Sequence, residues 1–322
     1  MWRKNEKKIY LLILLVILSI ASLFIGVSDI SLSDIISLDS EKINLILIGR
    51  LPRLISIIFA GVGMSISGLI MQQISRNKFV SPTTAGTIDF AKLGILVCMI
   101  VFPQATMMNK MLLSFTFAIL GTLLFMQIQK KIKIKNIVFI PLIGMMLGKI
   151  VGSITMFFSY KYDLIQNINS WMEGDFSLIM KGKYELLYIS IPLVIIAAIY
   201  ANKFTIAGMG EDFCTNLGIK YNRVVNLGLV IVALISSVVV ITIGAIPFLG
   251  IIVPNIVTMY YGDNLKNVLG LTALIGPIFL LICDILGRLI IYPYEISISL
   301  TVGVIGSVAF LYLIFRRSGH EA

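Results

Sequence analysis

The chain reads as a succession of long apolar runs divided by short polar or basic stretches. The first, residues 9–26, is long enough to cross a bilayer at about 1.5 Å of rise per helical residue. Further runs at 52–74, 91–103, 110–128, 137–160, 185–201, 224–243, 247–261, 268–291 and 298–315 predict nine more spans, ten in all. Those at 91–103, 185–201 and 247–261 are short for about 30 Å of hydrocarbon. Short spans belong inside a bundle, where protein or water satisfies the backbone. The run at 247–261 holds Pro247, Gly250 and Pro254, which predicts a broken helix.

Polar positions orient the bundle. An even number of spans puts both termini on one side. Loops on that side carry 16 basic residues, among them Arg3, Lys4, Lys7, Lys8, Arg76, Lys78, Lys220 and Arg223, against 8 on the other. Lys and Arg collect in cytoplasmic loops, so both ends are expected in the cytoplasm, with the basic run at 129–135 as the clearest anchor. The basic N-terminus followed by an apolar run also resembles a signal peptide. Leu23-Phe24-Ile25-Gly26 is a poor cleavage site, however, and the run is expected to stay as a span.

Composition agrees. Of 322 residues, 58% are hydrophobic and 13% charged, and mean hydropathy is +0.99. A soluble domain is about 25% charged, so this chain could not cover itself with polar surface. The same figures exclude a disordered, collagen-like or disulfide-rich chain. The expectation is an all-α integral membrane protein, one domain over residues 1–322, in the plasma membrane. The net charge of +10 belongs to the loops and does not call for nucleic acid.

Candidate chemistry is sparse. Cys98, Cys214 and Cys283 are far apart and have no metal or redox spacing. The only histidine is His320, and no catalytic triad or metal motif occurs, so neither an enzyme nor a metal site is expected. Gly144-Met-Met-Leu-Gly148-Lys149 falls one residue short of a phosphate loop and lacks its hydroxyl residue. Gly144, Gly148 and Gly152 instead repeat every four residues, which predicts a face for close helix approach. Asp284 is the plain intramembrane charge, deep in the ninth span, and Arg288 one turn later is its natural partner. Lys92 and Lys149 are read as lying near span starts and reaching to the interface. Arg50 and Arg53 bracket a proline at the start of the second span, on the side that avoids basic residues, which points to an acidic partner there. An ion-driven carrier and a membrane scaffold remain alternatives at this level. The first would need functional carboxylates such as Asp284.

Several strings resemble the FecCD-type permeases of bacterial ABC importers for iron siderophores, haem or cobalamin. The resemblance covers nearly the whole chain. Arg50-Leu-Pro-Arg53 begins it, followed by Gly61, Ser67, Gly68 and Gln72, then Arg76-Asn77 running to Pro82. Gly210-Glu211, Leu217-Gly218 and Arg223 are similar to the family's ATPase-docking loop. The stretch from Gly244 through Pro247 and Gly250 to Pro254 is the strongest signature, and Asp284, Arg288, Glu295 and Gly306 complete the set. Lys78, Asn255, Ser297 and Ser299 depart from the pattern, standing where the family usually has Pro, His, Pro and Gly.

The resemblance implies an inverted-repeat bundle of about ten helices that binds no cofactor itself. It implies a second permease subunit, a dimer of cytoplasmic ATP-binding subunits carrying ATP-Mg, and an extracytoplasmic binding protein. Arg50, Arg53 and Arg288 would meet the binding protein. Gly210, Glu211, Asp212, Leu217, Gly218 and Arg223 would meet the ATPase. Gly144, Gly148, Gly152, Gly244, Pro247, Gly250 and Pro254 would flank the path. Ser81-Pro82-Thr83-Thr84-Ala85-Gly86-Thr87, with Asp89 and Lys92, resembles a catecholate-siderophore subgroup in which two different permeases pair. A haem or cobalamin permease of the same family is the alternative substrate reading.

Overall fold

A computed structural model describes residues 2–26, 40–131 and 139–318. Residues 132–138 of the basic anchor, and His320, lie outside the described residues. Helix α1 spans Trp2–Phe24. Helix α2 (Ser40–Leu45) passes through a π-turn (Ile46–Arg50) into α3 (Leu51–Ser75). A 3-10 turn (Pro82–Ala85) precedes α4 (Thr87–Val101), followed by α5 (Met107–Lys131), α6 (Phe139–Lys161) and the short α7 (Ile165–Met172). A second 3-10 turn (Glu185–Ile189) opens α8 (Ser190–Met209), and α9 (Glu211–Asn216) leads to α10 (Tyr221–Ile243). The last helices are α11 (Leu249–Tyr261), α12 (Leu265–Leu289) and α13 (Ile298–Ser318). Among the described residues, seven helices are long and apolar enough to cross a membrane, and α11 and α13 add shorter apolar helices.

Each predicted run is a helix, but three readings change. The run at 185–201 is not a short span: it opens with a 3-10 turn and continues as helix to Met209. The run at 91–103 starts earlier, at Thr87, so Asp89 and Lys92 lie inside α4. The helix at 249–261 is unbroken. Pro254 has no N–H for the Gly250 carbonyl, and the Gln72 side-chain amide approaches that oxygen at 3.4 Å instead. The break lies before the helix, at residues 244–248.

Helix α3 runs through the middle of the bundle, packed against α8, α10, α11 and α12. Two crossings bring backbone onto backbone. A Cβ on Gly61 would meet Pro277 and Gly276, and one on Gly68 would meet the Gly250 carbonyl. Among lipid-soluble helices there is little hydrophobic gain in meeting one another, so close packing of this kind carries the association.

Two irregular segments dip into the bundle and explain why α4 and α11 are short. After α3, Arg76 turns the chain in the left-handed region (φ 49°), and a short turn over residues 77–81 leads back to the bundle. Pro82 then rests on Gly250, and the Thr87 and Ser236 hydroxyls sit 3.4 Å apart, fifteen residues along α10 from Tyr221. Helix α4 therefore begins deep. The second segment is 244–248, where Gly244 has φ 101° and a Cβ would strike the Glu173 carbonyl. Here three chain segments satisfy one another. The Ala245 amide donates to the Met172 carbonyl (2.9 Å), and the Asp175 amide to that of Ile243 (3.0 Å). Ser299 accepts from the Gly174 amide and donates to the Ala245 carbonyl, both at 2.7 Å. Irregular backbone is tolerated at this depth where its polar groups find protein partners, as these do.

Candidate functional site

At the end of the bundle where α1 and α12 finish and α3 starts, three residues near helix ends and one from the loop after α12 converge. Asp284 and Arg288 share a face of α12 and pair directly, as their spacing predicts. Arg53, two residues into α3, donates to the Asp284 carboxylate at 2.8 and 3.2 Å and to Glu295 at 2.7 Å. The side chains of Asp284 and Arg288 are 2% and 4% exposed, those of Arg53 and Glu295 13% and 24%. Asp284 is thus not deep in its span but within five residues of the α12 terminus.

The remaining donors close α1. Arg288 donates to the Ser22 and Ile25 carbonyls at 2.9 and 2.6 Å, and Arg50 to those of Leu23 and Phe24 at 2.6 and 3.1 Å. The last carbonyls of a helix have no donors of their own and carry its negative dipole end, so two guanidiniums there are well placed. This is a structural reason for arginines on a side where basic residues are scarce. Much of the hydrogen-bonding capacity of Arg50, Arg53 and Arg288 is used inside the chain, and Arg288 is buried. Beside the cluster lies a cavity of about 230 Å³ lined by Arg50, Arg53, Arg288, Glu295, Phe176 and Met180, among others.

At the opposite end, Gly210 (φ 128°) ends α8, and Glu211 and Asp212 fill the first turn of α9, where acids suit the positive dipole end. Gly218 (φ 70°) follows Leu217. Its amide donates to the Thr215 carbonyl at 3.0 Å and that of Ile219 to Cys214 at 2.8 Å, closing α9 as a left-handed glycine cap. Arg223 lies in the first turn of α10. Met209, Phe213 and Leu217 are exposed apolar side chains on this otherwise polar loop. Of these, the sequence reading names only Leu217. Cys214 faces inward, and burial pushes its thiol up, with the nearby Arg76 charge pulling the other way. Cys98 and Cys283 are also buried and free.

The glycine face of α6 holds the dipping segment before α4. Gly86 packs on Gly144 and Gly148, and the Asp89 carboxylate lies over Gly148 and Gly152. Asp89 is thus a second intramembrane carboxylate, missed because its span was drawn from residue 91. The departures Lys78 and Asn255 meet: the Asn255 amide donates to the Lys78 carbonyl at 2.7 Å, and the Lys78 ammonium pairs with Asp263. Pro247 belongs to the break before α11. Among the described residues, no group of His, Cys, Asp and Glu could hold a metal ion.

This architecture is that of a polytopic membrane protein with two irregular breaks at its core. The sequence matches the FecCD transport family over residues 13–316, and the chain belongs to that family. It is a multi-pass protein of the bacterial plasma membrane and a permease subunit of an ABC transporter, which works as a complex with an ATPase and other subunits. It is 60% identical over 311 residues to the petrobactin import system permease protein YclN of Bacillus subtilis (strain 168), covering 97% of this chain and 98% of that one. It is 37% identical over 295 residues to the ferric-anguibactin transport system permease protein FatD of Vibrio anguillarum, with 92% and 94% covered. The fold matches an inward-facing structure described as a metal-chelate type ABC transporter, with TM-score 0.87, 23% identity, and 97% and 99% of the two chains covered.

Proposed function

We propose that this chain is the permease of an ATP-driven importer that carries a ferric siderophore of catecholate type into the cytoplasm. The observation that carries the reading is the end-to-end likeness to a petrobactin import permease. The chain pairs with a second, different permease. A dimer of cytoplasmic ATP-binding subunits, which hold ATP-Mg and perform the hydrolysis, docks on the Gly210–Arg223 surface. A binding protein delivers the chelate to the Arg53 end, which faces outward as the loop charges require.

Docking at that end works by exchange of partners. Carboxylates of the binding protein compete with Asp284 and Glu295 for the Arg53 guanidinium and reach Arg50 and Arg288 through the adjoining cavity. Guanidinium–carboxylate contacts are directional and charge-assisted, so the exchange preserves orientation. Vesicles holding the complete complex and ATP should accumulate radioactive iron from a ferric catecholate. A complex that hydrolyses ATP with its binding protein present, yet moves no ferric chelate, overturns the reading.

The coupling surface makes a second expectation. Gly218 has open space around it, so a side chain meets no neighbour there and only the left-handed backbone objects. Gly218→Val should cost about 1–2 kcal/mol of local stability and disturb the cap that closes α9. The expected result is an assembled complex in which ATP hydrolysis no longer tracks uptake. Unchanged coupling in Gly218→Val would remove this surface from the ATPase contact.

A further inference from the structure

Lys149 has no structural partner that accounts for it. It lies seven residues inside the apolar stretch Leu142–Lys161 and twelve from its end, so it is not a span-start lysine reaching to the interface. Among the described residues it is in no ion pair, and it is exposed on the chain alone. Met145, Ser153, Met156 and Tyr160 are exposed on the same face of α6. The Ser153 hydroxyl is used on the Lys149 carbonyl at 2.8 Å. A lysine facing lipid at this depth is costly, so this face meets water or protein.

The surroundings carry a surplus of positive charge. Bare backbone at Gly148 and Gly152 lets the Asp89 carboxylate lie against α6 from α4. The positive charges acting on that carboxylate are those of Lys92 and Lys149. Two lysines thus stand near one carboxylate, an excess of one basic residue. A cavity of about 90 Å³ lined by Asp89, Lys92, Gly152, Thr155, Met156 and Asn169, among others, opens beside the carboxylate, one helical turn along α6 from Lys149. The pairing of Thr87 with Ser236 fixes the head of α4 far along α10, so the cluster lies well along the helices rather than at their ends.

We propose that Lys149, backed by Asp89 and Lys92, is a transient cation site for an anionic aromatic chelate on the transport path. This rests on the siderophore-permease reading above. A catecholate is a dianion, so a ferric ion wrapped in catecholates is a net anion with aromatic edges. Lys149 answers the charge, and Met145 and Met156 offer polarisable sulfur to the rings. Asp89 partly neutralises the site, which keeps residence short, as passage requires weak enough binding to leave.

The test uses the complete complex in vesicles, with Lys149→Met and Lys149→Arg variants. Methionine keeps length and inserts readily, and arginine keeps charge. Two ferric catecholates are compared, one amidated to carry one negative charge fewer. Lys149→Met should slow uptake of the more anionic chelate about tenfold, the effect of losing one modest charge contact. It should largely erase the difference between the two chelates, and Lys149→Arg should restore it. Wild-type uptake of both chelates by Lys149→Met overturns the proposal. So does loss of assembly with the second permease that is regained by neutralising a carboxylate on that subunit, since Lys149 is then an interface ion pair. A wild-type complex that moves neither chelate removes the siderophore reading itself, and the proposal with it.

Discussion

Asp284→Ala is expected to lower the stability of the purified protein by about 3–5 kcal/mol, the range for removing one member of a buried ion pair. Asp284 is nearly inaccessible and holds two guanidiniums at once, Arg53 from α3 and Arg288 from its own helix. Its loss leaves Arg288 buried, with only α1 carbonyls and the Ser22 hydroxyl to receive its protons. The ends of α1, α3 and α12 then lose their common anchor. Asp263→Ala is the contrast. Asp263 is 63% exposed and pairs with a single lysine, so its loss should cost under about 1 kcal/mol. Melting of the two variants in the same detergent, followed by size exclusion, checks the difference. Equal melting temperatures would mean the cluster is solvated and contributes little.

Gly68→Ala should be damaging out of proportion to one methyl group. The added carbon would land on the Gly250 carbonyl, which is backbone and cannot rotate aside. Helices α3 and α11 would have to separate, and α3 packs against four other helices, so the shift spreads. Overpacking of this kind costs about 1–3 kcal/mol and occasionally more. Gly49→Ala serves as control, because nothing lies within 4 Å of its added carbon. It should be neutral or slightly stabilising, by up to about 1 kcal/mol. Yield of monodisperse protein and its melting temperature measure both. A Gly68→Ala protein as stable as Gly49→Ala would show that the α3–α11 crossing is looser than drawn.

Hydropathy located every long helix because a span must be apolar over most of its length. It failed where polar residues belong to a span. Thr87, Asp89 and Lys92 lower the local average, so α4 was drawn four residues late and Asp89 was left in a loop. Depth was equally hidden: nothing in the order of residues shows that Thr87 reaches Ser236, 149 positions away. The Asp284–Arg288 pair was legible because four residues make one helical turn. Arg53, its other partner, lies 231 positions from Asp284 and has no local signature. Pro254 was read as a break because proline removes a donor. Gln72, 178 positions from Gly250, supplies the replacement, and only the assembled bundle could reveal it. The loop at 210–223 is readable in outline from its glycines and acids, while the exposure of Phe213 and the burial of Cys214 beside it follow only from the fold.

The three buried cysteines have a practical consequence. Cys98, Cys214 and Cys283 are shielded by packing, and at Cys214 burial also raises the thiol, so little reactive thiolate is present. The native protein is therefore a quiet background for thiol-directed labels. A single cysteine placed at the exposed Ser153 or Asn216 would be read without first stripping the chain of its own, allowing solvent access along α6 and at the Gly210–Arg223 loop to be followed through a transport cycle.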